Sequence, residues 1–266
     1  MKSLFHRAGI ALLTLATIGS SSPILRPENS QFRLGIPAPN DSEADESSLT
    51  SFPTWETTHL QARRLLALST TGVLSTVFQE DGPHPLLAGL PIALPDYIAD
   101  CANDEDSPLT TLLGPGNPLI LALNIGTTFR NTDAGSNISL SIDWWQHAGQ
   151  EQDGKDILDR SPAGLPRLSL IGSLEPLPLT VSVETRKEIE SCFLAAHPDA
   201  VYWLPDHYDA AHRGYWARLV VDKALWIGGF GDRAKIGWLK IDEWAGITKD
   251  GKDGKRGWKD VKLPGE

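Results

Sequence analysis

The sequence predicts a mainly β fold, an antiparallel barrel with helices packed against its outside, in one domain over residues 54–247. Three observations predict it. Six or seven apolar runs of strand length are spread between Val73 and Trp244. Only two stretches, Trp55 to Leu68 and Ser182 to Ala196, repeat apolar residues at helical spacing, so strands and helices do not alternate as in a βαβ chain. The span has no internal repeat and is flanked by polar sequence rich in Pro, Gly and charge, so its apolar residues have one core to fill.

The chain begins with a leader. Lys2 and Arg7 form a positive start, Ala8 to Ile18 is apolar and uncharged, and small residues follow from Gly19 to Ser22 before Pro23. That order is the pattern of a cleavable signal peptide, taken as residues 1–21. The run is too short for a membrane span, which needs about 20 apolar residues. No later stretch is long and apolar enough to span a bilayer, so no membrane association is expected once the leader is removed. Residues 22–53 are rich in Pro, Ser, Asn and acids and are expected to form a flexible segment.

Order is expected from Thr54. Leu60, Ala62, Leu65, Leu66 and Leu68 give Trp55–Leu68 an apolar helical face, with Arg63 and Arg64 on the other side. Val73 to Phe78 reads as the first strand. Glu80-Asp81-Gly82-Pro83 is a turn. Pro85 to Leu94 reads as a second strand, at an edge or a bulge because of Pro91. Asp100 to Asp106 is an acidic loop around Cys101. Leu119–Ile125 and Ser139–Trp145 are strands, and Gly149–Gly164 is a polar loop. Leu168–Leu174 alternates as a further strand. Ser182–Ala196 is a helix with Ile189, Phe193 and Leu194 inward. Tyr215–Val221 and Ala224–Phe230 read as two strands joined by a turn at Asp222-Lys223. Trp238–Trp244 closes the domain, and residues 248–266, with TKDGKDGKRGWK, are expected to be a flexible basic tail.

Charge and cysteine content narrow the function. The formal net charge is −10, and losing Lys2 and Arg7 with the leader makes it about −12 by the same charge counting. An acidic chain has no bulk attraction for nucleic-acid phosphates or anionic membranes, so neither is expected as a partner. In an oxidising compartment Cys101 and Cys192 form a candidate disulfide, two buried free thiols being the alternative. Asn40-Asp41-Ser42 and Asn137-Ile138-Ser139 are candidate glycosylation sequons. His207 and His212, with Asp206 and Asp209, have the residue types of a metal site, but local hydrogen bonding is the plainer reading, and no metal is expected. No Gly-x-Ser-x-Gly elbow, Cys-x-x-Cys pair or GxGxxG fingerprint occurs.

Several segments, in order, carry a resemblance. They are Ala62-Arg63-Arg64-Leu65 with Thr71-Gly72-Val73-Leu74-Ser75-Thr76-Val77; Asn117 to Leu123; Pro166-Arg167-Leu168-Ser169-Leu170-Ile171-Gly172-Ser173-Leu174-Glu175-Pro176; Phe193-Leu194-Ala195-Ala196-His197-Pro198-Asp199-Ala200; and Trp226-Ile227-Gly228-Gly229-Phe230-Gly231. Over residues 55–245 the chain resembles the pyridoxamine-phosphate-oxidase-like split-barrel superfamily and, within it, the secreted CREG (cellular repressor) family. The resemblance implies an antiparallel split β-barrel of the FMN-binding type and a homodimer. In the enzymatic relatives Arg, Lys, Ser and Thr from barrel strands hold the FMN phosphate, which needs charge-assisted donors. The matching candidates are Ser75, Thr127, Thr128 and Arg130, a surface or ion-paired arginine being the alternative for Arg130. Pro85 to Leu94 departs from the flavin-binding pattern, having no basic residue. The expected function is therefore that of a secreted or lumenal glycoprotein, extracellular or in a vacuolar or lysosomal lumen. It would be non-catalytic and act by binding an unknown protein or small molecule. An FMN-dependent oxidoreductase is one alternative. A haem-binding or haem-degrading protein, resting on the Gly228-to-Gly231 turn, is the other.

Overall fold

A computed structural model of the chain describes residues 53–148, 161–231 and 234–266. The leader 1–21, the flexible segment up to residue 52, Asn40 and the 149–160 part of the polar loop lie outside the described residues. Seven strands form one antiparallel sheet that curls into a half-barrel flanked by helices: β1 (Thr71–Val77), β2 (Pro91–Tyr97), β3 (Leu119–Leu123), β4 (Ile138–Asp143), β5 (Arg167–Pro176), β6 (Gly214–Ile227) and β7 (Ile236–Leu239). Their order is β2-β1-β4-β5-β6-β3, with β7 also paired to β6.

The curl has two cores because α-helices cover different faces of it. The helices are α1 (Trp55–Leu68), α2 (Pro108–Leu113), α3 (Thr127–Asp133), α4 (Val183–Ala196) and the short α5 (Ile241–Ala245). Leu74, Leu140, Leu170, Leu219 and Trp226 line the inner face and pack with Ala62, Leu65 and Leu66 of α1. On the opposite face of β3 and the first half of β6, Leu119, Leu121 and Trp216 pack with α2 and α4 through Leu109, Leu113, Ile189 and Phe193. Cys101 and Cys192 are bonded across this second core with their Cα atoms 6.0 Å apart, so the loop after β2 is covalently tied to α4. α1 and α4 begin where Thr54 and Ser182 accept the amides of Thr57 and Thr185, satisfying donors the first turn would otherwise leave open.

Several sequence expectations are corrected. The second strand starts at Pro91, not Pro85, and residues 85–87 form a 3-10 turn. Gly89 at φ 82° turns the chain back so that its amide reaches Phe78 O, and Pro91, which has no N–H to give, opens an edge strand. The strand starting at Leu119 stops at Leu123, because Gly126 then opens α3. The runs expected as Tyr215–Val221 and Ala224–Phe230 are one strand that ends at Ile227, without a turn at Asp222-Lys223. Gly172 faces Val221 and Ile171 faces Lys223, leaving Asp222 as the extra residue of a bulge. A Cβ on Gly172 would lie 1.7 Å from Val220 O, so only glycine admits this approach. The bulge lets one strand pair with β3 at one end and β7 at the other.

Two charged segments also differ from expectation. Arg63 is fully buried, not on the polar side of α1. Its guanidinium donates to Asp100 Oδ2 at 2.9 Å, Ile247 O at 3.3 Å and Asn103 Oδ1 at 3.4 Å, which answers the cost of burying the charge. Residues 248–266, expected as a mobile tail, lie against α1 instead. Trp258, Val261 and Leu263 are buried. Trp144 Nε1 donates to Pro264 O at 2.8 Å, Trp258 Nε1 donates to Asn103 Oδ1 at 2.8 Å, and Arg64 pairs with Glu266. The glycines and lysines of this strap masked three apolar anchors at irregular spacing.

Candidate functional site

One face of the sheet is covered by no helix among the described residues. Side chains alternate along a strand, so residues next to buried ones point the other way. On β1, Leu74 and Thr76 are buried and Val73, Ser75 and Val77 face outward. On β5, Leu168 and Leu170 are buried and Arg167, Ser169 and Ile171 face outward. The register aligns them: Ser75 lies opposite Ser139 and Ser139 opposite Ile171, while Val73 lies opposite Ser141 and Ser141 opposite Ser169. Beyond β5 the row continues through Leu225 to Trp238, which is 58% exposed. The result is a surface of half-exposed apolar side chains interleaved with serine hydroxyls.

The four residues predicted for a flavin phosphate do not come together on it. Ser75 is on the outer face. Thr127, Thr128 and Arg130 are on α3, not on a strand, and α3 packs against the inner side of β1, where buried Asn131 donates to Thr76 Oγ1 at 3.0 Å. Thr128 is buried, Thr127 is half-buried and Arg130 is exposed. A phosphate cradle needs several charge-assisted donors converging on one point. Ser75 and the α3 trio approach β1 from opposite sides, so this set does not fit the group.

The residue missed in the sequence is Arg167. It stands on the outer face opposite Asp143 and Ile227, its guanidinium 5.8 Å from the centroid of Trp145. Its Nε is buried without a hydrogen-bond partner among the described residues, an exception to the rule that buried polar groups are paired. Nearby His147 stacks on Trp144 at 3.6 Å and its Nδ1 is likewise buried and unpartnered. The signal was in the sequence: Arg167 and Ser169 alternate with Leu168 and Leu170, placing a cation on the exposed side of a buried strand. The outer donors, Arg167 with Ser75, Ser139, Ser141 and Ser169, are spread over three strands about 4.8 Å apart instead of converging.

The other sequence candidates fall elsewhere. Asn137 is exposed immediately before β4, with Ser139 half-buried. His207 and His212 share a cavity of about 420 Å³ with Asn124 and Arg213, and Asp206 pairs with Arg186. Among the described residues no three His, Cys, Asp or Glu side chains cluster as metal ligands, and no helix is long and apolar enough to cross a membrane. His197 ends α4 and is buried, its ring 2.9 Å from Ile98 O and stacked on Tyr97.

A family model described as "CREG, beta-barrel" matches residues 53–246. No curated protein matches the chain in sequence. Among solved structures, the chain is similar to a heme-binding protein from Mycobacterium smegmatis at 18% identity and a TM-score of 0.47, covering 74% of this chain and 62% of that one. The chain thus spans less than two thirds of that protein's length. It is similar to a protein from Clostridium acetobutylicum related to general stress protein 26, of the pyridoxinephosphate oxidase family, at 14% identity and TM-score 0.40, covering 71% and 98%. It is also similar to HutZ, a heme storage protein from Vibrio cholerae, at 15% identity and TM-score 0.33, covering 60% and 84%.

Proposed function

Because the chain belongs to the CREG β-barrel family, we propose that it is a secreted or lumenal glycoprotein that acts by binding rather than by catalysis, as a homodimer joined through the open sheet face. The observation that carries this reading is that face. Val73, Ile171, Ile236 and Trp238 are each more than a third exposed on it, and several large apolar side chains exposed on one uncovered face are what an interaction surface offers. A two-fold dimer would bury the same patch on both copies. The spread of the hydroxyl donors favours binding over the flavin reading.

Three further features support the address. The leader pattern opens the chain. The Cys101–Cys192 bond suits an oxidising compartment. Asn137 is exposed in its sequon, as a glycan acceptor must be. The final compartment is then extracellular or a vacuolar or lysosomal lumen.

The test is the protein purified from a secretory host. Its intact mass should lack the leader and carry a glycan removable by endoglycosidase at Asn137. Its spectrum should lack the flavin band near roughly 450 nm and the haem band near roughly 400 nm. Light scattering should report a dimer, and Trp238→Asp on the open face should give a monomer with an unchanged thermal midpoint. A coloured protein that retains FMN through dialysis would replace this reading with the oxidoreductase. A monomer at micromolar concentration would remove the dimer.

A further inference from the structure

We propose a second site, separate from the open sheet face: a charged cleft between α1, α5 and the C-terminal strap that takes a small zwitterion, a molecule with an ammonium and a carboxylate, of amino-acid to dipeptide size. The cleft encloses about 590 Å³, within the range of small-molecule sites. α1 and α5 supply one wall with Glu56, Asp242 and Glu243. The strap supplies the other with Lys252, Lys255 and Arg256, and Leu60 and Ile247 are the apolar residues between them.

Half of these charges are already used. Glu243 is held by Lys240 at 2.7 Å and Lys252 by Glu105 at 3.1 Å. Arg256 gives one nitrogen to Asp260 O at 3.2 Å. Glu56 and Asp242 on the acidic wall and Lys255 on the basic wall have no ion-pair partner among the described residues. An ammonium suits the first wall and a carboxylate the second, and one molecule carrying both satisfies them together. A simple anion or cation would meet one wall's attraction and the other's repulsion.

The walls are held in place. His59 is buried at the base of the acidic wall, Nδ1–H donating to Trp55 O at 2.7 Å and Nε2 accepting the Lys240 amide at 3.0 Å. In the strap, Gly251, Asp253 and Gly254 adopt φ of 76°, 52° and 77°. A Cβ on Gly251 would lie 2.1 Å from Lys255 O. That close approach folds the loop back on itself, with Lys252, Lys255 and Arg256 bordering the cleft. Trp258 anchors it through Asn103. The acidic wall lies within the family match and the basic wall beyond it, since the match ends at residue 246.

The test uses the full mature chain, isotope-labelled, and three probes on one skeleton: glycylglycine, N-acetylglycylglycine, which has lost the ammonium, and glycylglycinamide, which has lost the carboxylate. Glycylglycine should shift the amide resonances of Gly246, Ile247 and Lys255 with millimolar affinity that weakens as salt rises. Each capped probe should bind at least about tenfold more weakly, the loss of one charge-assisted contact. Asp242→Asn should erase the preference for the free ammonium, and Lys255→Gln the preference for the free carboxylate. Both residues are exposed, so the thermal midpoint should not move. No shift with glycylglycine, or equal shifts with all three probes, overturns the proposal, and both results are read on the unaltered protein.

Discussion

Replacing Arg63 with Met removes the cation from an ion pair whose two side chains are both 0% exposed. Asp100 would keep its carboxylate in the core with Oδ1 already unpartnered, and the Ile247 carbonyl and Asn103 amide oxygen would lose their guanidinium donors. Stranding one member of a buried pair costs about 3–5 kcal/mol. Loss of the cation–π contact with Trp244, 5.1 Å from the guanidinium, adds about 0.5–2 kcal/mol. For a domain of this size each kcal/mol moves the thermal midpoint by about 2–4 °C. The single variant should therefore melt roughly 7–28 °C lower, or fold incompletely. The assay is equilibrium urea denaturation of Arg63→Met, Asp100→Leu and the double variant. An apolar pair can replace a buried ion pair at little cost, so the double variant should recover most of the loss. If Arg63→Met costs less than about 1 kcal/mol, or the two losses simply add, Asp100 does not depend on Arg63 and the account of its burial is wrong.

Three other predictions follow from the same structure. Cys101 and Cys192 are 91 residues apart, and in the chain-entropy account a loop of that length confers about 4–5 kcal/mol; the Cys101→Ala, Cys192→Ala double variant should lose most of it in urea denaturation. Gly172→Ala places a Cβ against the Val220 carbonyl, backbone that cannot swing away, and should cost about 2–3 kcal/mol, whereas Ser173→Ala next to it should be nearly neutral. Burial first and Asp133 second push the Tyr215 phenol up to about 12. Ultraviolet titration should show Tyr215 ionising late, beside Tyr97, which its hydrogen bond to Asp199 also raises, and Asp133→Asn should move the Tyr215 step only part of the way back. Because that folded-state value is raised, its contribution to stability is fully present below the unfolded phenol's range and drains as pH rises toward 12.

How far the fold was legible depends on whether a residue's neighbours in sequence are also its neighbours in space. Both long helices were legible, because their apolar spacing is local. So were the strands β1, β4 and β5, whose alternation survives in the sequence. The misreadings have non-local causes. A turn at Asp222-Lys223 is a sound local inference, but Gly172, on another strand, lets Val220 come close and turns the extra residue into a bulge. Arg63 looks like half of a solvent-facing pair until Asp100, 37 residues later, is known to meet it. The strap looks unstructured because its anchors Trp258, Val261 and Leu263 find their pockets on elements at the other end of the chain.

The open face shows the same limit at the level of the site. Alternation in the β5 segment was enough to put Arg167, Ser169 and Ile171 on one side of a strand. It could not tell whether that side would be covered. The equivalent side of β3 and the first half of β6 is covered, because α2 and α4 lie on it and the Cys101–Cys192 bond holds α4 to the loop after β2. Nothing comparable among the described residues crosses β1, β4 and β5. Thr127, Thr128 and Arg130 were drawn to the site by residue type, but Gly126 ends the strand run early and sends them to a helix on the inner side. What distinguishes the face is thus the boundary of helix coverage, a property of packing, and Arg167 stands just outside that boundary, on the side of β5 that no helix covers among the described residues.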